Sequence, residues 1–110
     1  MYKRPVRLLF LHRSGARDEQ DAAHIALEAA TRHGHWIEAR LAPLEEAAET
    51  LDWADLVLTL GVCPCPPLPA HAQHRHWPDL DRTAIEERLA GVVGGLRLLS
   101  RLDGDLGSAP

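Results

Sequence analysis

With 110 residues, the chain has room for one sheet layer and a few helices around a single core. Hydrophobic residues make up 45% and charged residues 25%, a globular balance. The net charge of -4 excludes a general nucleic-acid binder, which needs a dense basic surface. No run approaches the ~20 apolar residues of a membrane span, and Met1-Tyr2-Lys3-Arg4 leads into an apolar segment without a signal-peptide pattern. A cytoplasmic protein without membrane or nucleic-acid partners is the expectation.

Val6 to Leu11 reads as a strand buried on both faces, because it is almost wholly apolar. It breaks into His12-Arg13-Ser14-Gly15-Ala16-Arg17. From Asp18 to His33 the residues Ala22, Ala23, Ala26, Leu27, Ala29 and Ala30 recur at helical spacing, with Gly34 as the closing residue. His35 to Leu41 alternates, placing Ile37, Ala39 and Leu41 on one face of a second strand. Pro43 suits the first position of a short helix carrying Glu45, Glu46 and Glu49. Leu56 to Leu60 is the second strongly apolar strand, with Trp53 as a packing residue beside it.

An irregular, proline-rich stretch runs from Gly61 to about Arg82. Within it, His74 to Trp77 reads as a short edge strand, where flanking proline is tolerated. Trp77 is expected to cap the core or wall a pocket. A final amphipathic helix is expected from Thr83 to Leu102, with Ile85, Leu89, Val92, Val93, Leu96 and Leu99 as its apolar stripe. Gly91, Gly94 and Gly95 weaken that helix unless they let it pack closely on the sheet. Residues 104–110 read as a frayed tail behind a domain spanning 1–103.

The order β-α-β-α-β-loop-β-α predicts one doubly wound α/β domain with a four-stranded, mainly parallel sheet. Ligands of such sheets bind outside the carboxyl ends of the strands. The 12–17 loop, the 61–69 loop and the segment after Trp77 should therefore meet there. A strand, a glycine-containing loop and a helix N-terminus in succession form an oxyanion cradle, because free N–H groups and the helix dipole converge. His12, Arg13, Ser14, Gly15 and Arg17 are the candidate anion-binding residues. Arginine suits that task through bidentate contacts, and Lys3 is the only lysine.

Three stretches resemble the low-molecular-weight protein tyrosine phosphatases and the thioredoxin-coupled arsenate reductases that share their fold. They are Arg7-Leu8-Leu9-Phe10-Leu11 with its loop and alanine-rich helix, Leu51 to Leu60, and Cys65-Pro66-Pro67-Leu68-Pro69 with His76-Trp77-Pro78-Asp79-Leu80-Asp81. The resemblance implies C-x5-R-[ST] after the first strand, a thiolate nucleophile that attacks phosphate or arsenate. Here His12 stands at the cysteine position and Asp18, followed by Glu19, at the arginine position. Arg17 fits only a loop one residue shorter. A carboxylate at the helix N-terminus occupies the slot meant for the anion.

The family's general acid matches Asp81 best and Asp79 next, although Arg82 replaces the family's proline. The same aspartates also suit solvated loop positions or an N-cap for the last helix. The expectation is a phosphatase-like domain without its catalytic thiol, serving as a small-oxyanion-binding or protein-interaction module. The competing enzyme reading uses His12 as nucleophile or base and Asp81 as acid.

Cys63-Pro64-Cys65 with His71, His74 and His76 is the densest set of soft donors. Thiolate and imidazole suit Zn, Cu or Ni, so a metal site in this loop is an alternative. A redox alternative uses the Cys63/Cys65 pair, since the reductases relay a disulfide through this loop. Two ordinary loop thiols are the plain alternative to both.

Overall fold

The longest apolar runs form the middle of a four-stranded sheet of order β2-β1-β3-β4. These strands are β1 (Val6–His12), β2 (Ile37–Pro43), β3 (Leu56–Leu60) and β4 (Gln73–Trp77). Three helices accompany them: α1 (Arg17–Thr31), α2 (Ala48–Leu51) and α3 (Arg82–Ser108). The computed structural model describes residues 5–34 and 36–108, with side chains through residue 95. Met1 to Arg4, the His35 start of the expected second strand, the Leu96 and Leu99 side chains of the expected stripe and residues 109–110 lie outside what is described.

Every strand pair is parallel, with Leu8 opposite both Ala39 and Leu56 and Leu60 opposite Trp77. The sheet is thus wholly parallel, flanked by helices, in a doubly wound α/β arrangement. Side chains alternate across it. Leu8, Phe10, Leu56, Leu58 and Leu60 face α1 and α3, whose contributions are Ala22, Ala23, Ala26, Ala29, Ala30, Ile85, Leu89 and Val93. Alanine along α1 lets the helix axis approach the sheet closely. The opposite face, with Leu9, Leu11 and Val57, is covered by Ala42, Ala47, Ala54 and Cys63, backed by Leu44, Leu51, Trp53, Leu68 and Ala72. Trp77 is 3% exposed and packs in the first core, 6.0 Å from the Phe10 ring. It is a core residue.

Several boundaries differ from the sequence reading. Pro43 is the last residue of β2, opposite His12, with extended torsions of φ -69 and ψ 148. Proline's fixed φ suits an extended residue as well as a first helical turn. On an edge strand its missing N–H removes no ladder bond. The expected helix after it is a three-residue 3-10 turn, Leu44–Glu46, and the single turn of α2. The first helix ends at Thr31 with Arg32 as its C-cap, and Gly34 takes φ +94 beyond it.

The last helix continues to Ser108, through the segment expected to be a frayed tail. A Cβ added at Gly91, Gly94 or Gly95 would meet nothing within 4 Å. Close packing on the sheet therefore does not account for these glycines. Among the described residues, no helix is long and apolar enough to cross a membrane.

Candidate functional site

The strand order places the loop after β1, the loop after β3 and the exit of β4 at one end of the sheet. The switch point lies between β1 and β3, where doubly wound sheets open a crevice. There a cleft of about 420 Å³ is lined by Arg13, Ala16, Arg17, Asp18, Glu19, Gly61, Val62, Pro78 and Leu80. The three segments expected to meet do meet. Of the nine lining residues, only Arg13 and Arg17 are among the candidate site residues from sequence.

Glu19 organises this end. It is the third residue of α1, a position whose carboxylate commonly reaches back over the helix start. Ala16 offers no capping side chain. Glu19 passes over it and binds Arg13: Oε1 accepts the Arg13 backbone N–H at 2.8 Å, and Oε2 accepts Nε at 3.0 Å. Arg13 Nη2 lies 2.9 Å from Oε2. The Val62 backbone N–H also donates to Oε2, at 3.1 Å, across 43 residues of sequence. The Glu19 side chain is only 3% exposed while Arg13 remains 48% exposed.

Burial alone would raise the Glu19 carboxyl. The hydrogen bonds from Arg13 and Val62, with the nearby guanidinium charge, outweigh it and hold the group below its ordinary range. Reciprocally, the bond to Glu19 raises Arg13.

Gly61 makes this placement possible. Its φ is +65, and a Cβ there would lie 2.8 Å from Glu19 Oε2. Any side chain would meet both a strained backbone and the carboxylate. The Arg13 backbone N–H, the Arg13 guanidinium and the Val62 N–H are thus all engaged by one carboxylate of the chain itself. The sequence reading assigned that slot to Asp18, which is exposed; Glu19, one residue on, fills it.

The remaining candidates fall out unevenly. Ser14 and Gly15 make the turn closed by the Ala16 N–H to Arg13 carbonyl bond, 3.2 Å, with Gly15 at φ +80. Neither lines the cleft. Arg17 lines it and is exposed. His12 is 5% exposed, its Nδ1 lies 3.1 Å from the Arg13 carbonyl oxygen, and it is not part of the lining. Asp81 accepts the Ala84 N–H at 3.1 Å, which makes it the N-cap of α3. Asp79 pairs with Arg88 at 3.2 Å. His12 and Asp81 are thus each engaged locally, the first with the Arg13 carbonyl oxygen and the second with the Ala84 N–H.

The five soft donors are dispersed as well. Cys63 is buried in the second core, while Cys65 is exposed. Each thiol lies near the carbonyl oxygen of the following proline. Burial pushes the Cys63 thiol up to about 11, with the Glu19 charge adding to the shift, so the nucleophilic thiolate is disfavoured. His71 Nε2 lies 3.0 Å from the Asp52 carbonyl oxygen, and His74 and His76 converge on Thr59 instead. Among the described residues, no three His, Cys, Asp or Glu side chains are placed to hold one metal ion.

Trp53 packs on the second core as expected. Its ring also carries two cations, with Arg40 4.2 Å and Arg7 5.7 Å from the centroid. No family model, no curated protein and no solved structure matches this chain.

Proposed function

We propose that this chain is a non-catalytic binding module on a phosphatase-like α/β scaffold. Its oxyanion cradle is closed by its own Glu19. The observation that carries this reading is the Glu19 carboxylate itself, which takes the Arg13 N–H, the Arg13 guanidinium and the Val62 N–H. Hydrogen bonds to an ionised carboxylate are stronger than neutral ones, so a free anion must displace a bound one to enter.

The candidate machinery of turnover is engaged elsewhere. The residue at the thiol position is buried against a backbone carbonyl, and the residue matching the acid caps a helix. What remains open to a ligand is Arg17 and Asp18 beside an apolar wall of Val62, Pro78 and Leu80. Val62 is 69% exposed, unusual for a large apolar side chain set beside a cleft. That mixture of one cation, one anion and apolar surface fits a segment of a protein partner better than a free small oxyanion.

The test is turnover. Purified protein is expected to show no phosphatase activity on aryl phosphate and no thiol-dependent arsenate reduction, and His12→Ala is expected to change neither. Turnover that is abolished by His12→Ala overturns the reading.

A further inference from the structure

The alternation of β3 and β4 brings three polar side chains together on the sheet face away from α1 and α3. Thr59 lies opposite His76, and Val57 opposite His74, in the parallel register. Thr59 is fully buried, while both histidines are exposed. Its Oγ1 stands 2.8 Å from His74 Nε2 and 2.7 Å from His76 Nδ1. The two rings are tilted 44° with centroids 6.5 Å apart. One buried hydroxyl is thus shared by two imidazoles on the outermost strand.

Counting protons shows what this sharing requires. A threonine hydroxyl carries one proton and two lone pairs. With both rings neutral, it donates to one ring nitrogen and accepts an N–H from the other, and both bonds are made. A first added proton goes to the outer nitrogen of the donating ring and leaves both bonds intact. A second proton must occupy the nitrogen that accepts from the hydroxyl. Both rings then donate to Oγ1, and the buried hydroxyl proton has no acceptor. The two cations also repel across the short gap between the rings.

We propose that Thr59, His74 and His76 form an acid-operated latch on β4, closed while the pair holds at most one proton and opened by the second. Its consequences reach the cleft through the chain. β4 ends at Trp77, whose carbonyl accepts the Gly61 N–H at 2.9 Å, and Pro78 follows as part of the cleft wall. Opening the latch frees that wall, whatever the cleft binds.

Although the residue as a whole is exposed, partial desolvation of its ring, reinforced by the charge of His76, holds His74 below its ordinary 6.5. The folded protein therefore binds this proton less readily than the unfolded chain. Its contribution to stability is full above 6.5 and is lost as pH falls through the lower folded value.

The groups around the pair are few. β3 offers Val57 and Thr59, neither of which titrates in this range. Arg75 of β4 falls on the other face by alternation. The loop covering this face brings Cys63, whose raised thiol is uncharged, while Cys65 is exposed and His71 is directed at the Asp52 carbonyl.

The test is amide hydrogen exchange, expressed as protection factors between about pH 7.5 and about pH 5. The Gly61 and Gln73 amides bracket β4, bonding to Trp77 and Asp55 carbonyls. Their protection is expected to fall about tenfold or more across that range in the unaltered protein, while amides of β1 hold. In Thr59→Val the pH step should vanish. His76→Gln, a surface change that leaves the core untouched, should remove it too. A flat profile in the unaltered protein, or an equal step in both variants, overturns the proposal.

Discussion

Glu19 and Thr59 are both buried polar side chains toward the carboxyl end of the sheet, but they are satisfied in different ways. Glu19 is ringed by a guanidinium and two backbone N–H groups, donors that keep their protons at any working pH. Thr59 lies between two imidazoles, one of which, His74, is held below its ordinary 6.5. The first arrangement is a permanent tie between the β1–α1 loop and the β3 exit; the second is conditional. A buried polar group is as constant as the protonation of its partners. The contrast separates a fixed internal ligand at the cleft from a switchable attachment of the strand beside it.

The largest effect that sharpens this comparison belongs to Gly61. Gly61→Ala is expected to destabilise by about 3 kcal/mol in denaturant unfolding, from the left-handed backbone and the contact with Glu19 together. In a Glu19→Ala background the steric part disappears and about 1 kcal/mol remains. Additive costs for the two substitutions would show that Gly61 and Glu19 are not coupled.

Glu19→Ala alone should cost about 2 kcal/mol, since it leaves two backbone N–H groups to find water. Its acid signature differs from that of the latch. Because the Glu19 carboxyl sits below its ordinary 4.5, its contribution is full above 4.5 and is lost as pH falls through the lower folded value. Stability measured against pH should therefore decline in two windows, one below 6.5 that His74→Gln removes and one below 4.5 that Glu19→Gln removes. A single decline unaffected by either substitution would erase the distinction.

Smaller still, Asp81→Ala is expected to cost about 1 kcal/mol, the value of an N-cap. Asp79→Ala should stay within about 0.5 kcal/mol, since its pair with Arg88 is exposed.

How much of this was legible in the sequence follows from what kind of contact each feature needs. β1 and β3 announce themselves because a central parallel strand is apolar on both faces, as Leu8 to Leu11 and Leu56 to Leu60 are. β4 was readable from His74 to Trp77 and its neighbouring prolines, but its parallel direction was not, because the segment joining it to β3 carries no helix to signal a crossover. Pro43 was misplaced because one fixed φ serves both a strand end and a helix start. The segment 104–108 reads as a frayed tail from its place at the end of the sequence, while the backbone is helical there.

At the site, counting along the family motif drew attention to Asp18. Which carboxylate turns inward depends on Val62 and Gly61, more than forty residues away, and no local pattern encodes that. The Thr59 node was hidden for the same reason. A threonine inside an apolar strand reads as β-propensity until the register sets it opposite two histidines.

The central claim, that Glu19 occupies the anion cradle, is tested most directly by titrating inorganic phosphate into the protein and into Glu19→Ala, following the Arg13 and Val62 amide resonances. The account predicts no saturable shift in the unaltered protein and a saturable shift of both amides in the variant, whose cradle is open. Saturable binding of equal strength in both, or in neither, would contradict it.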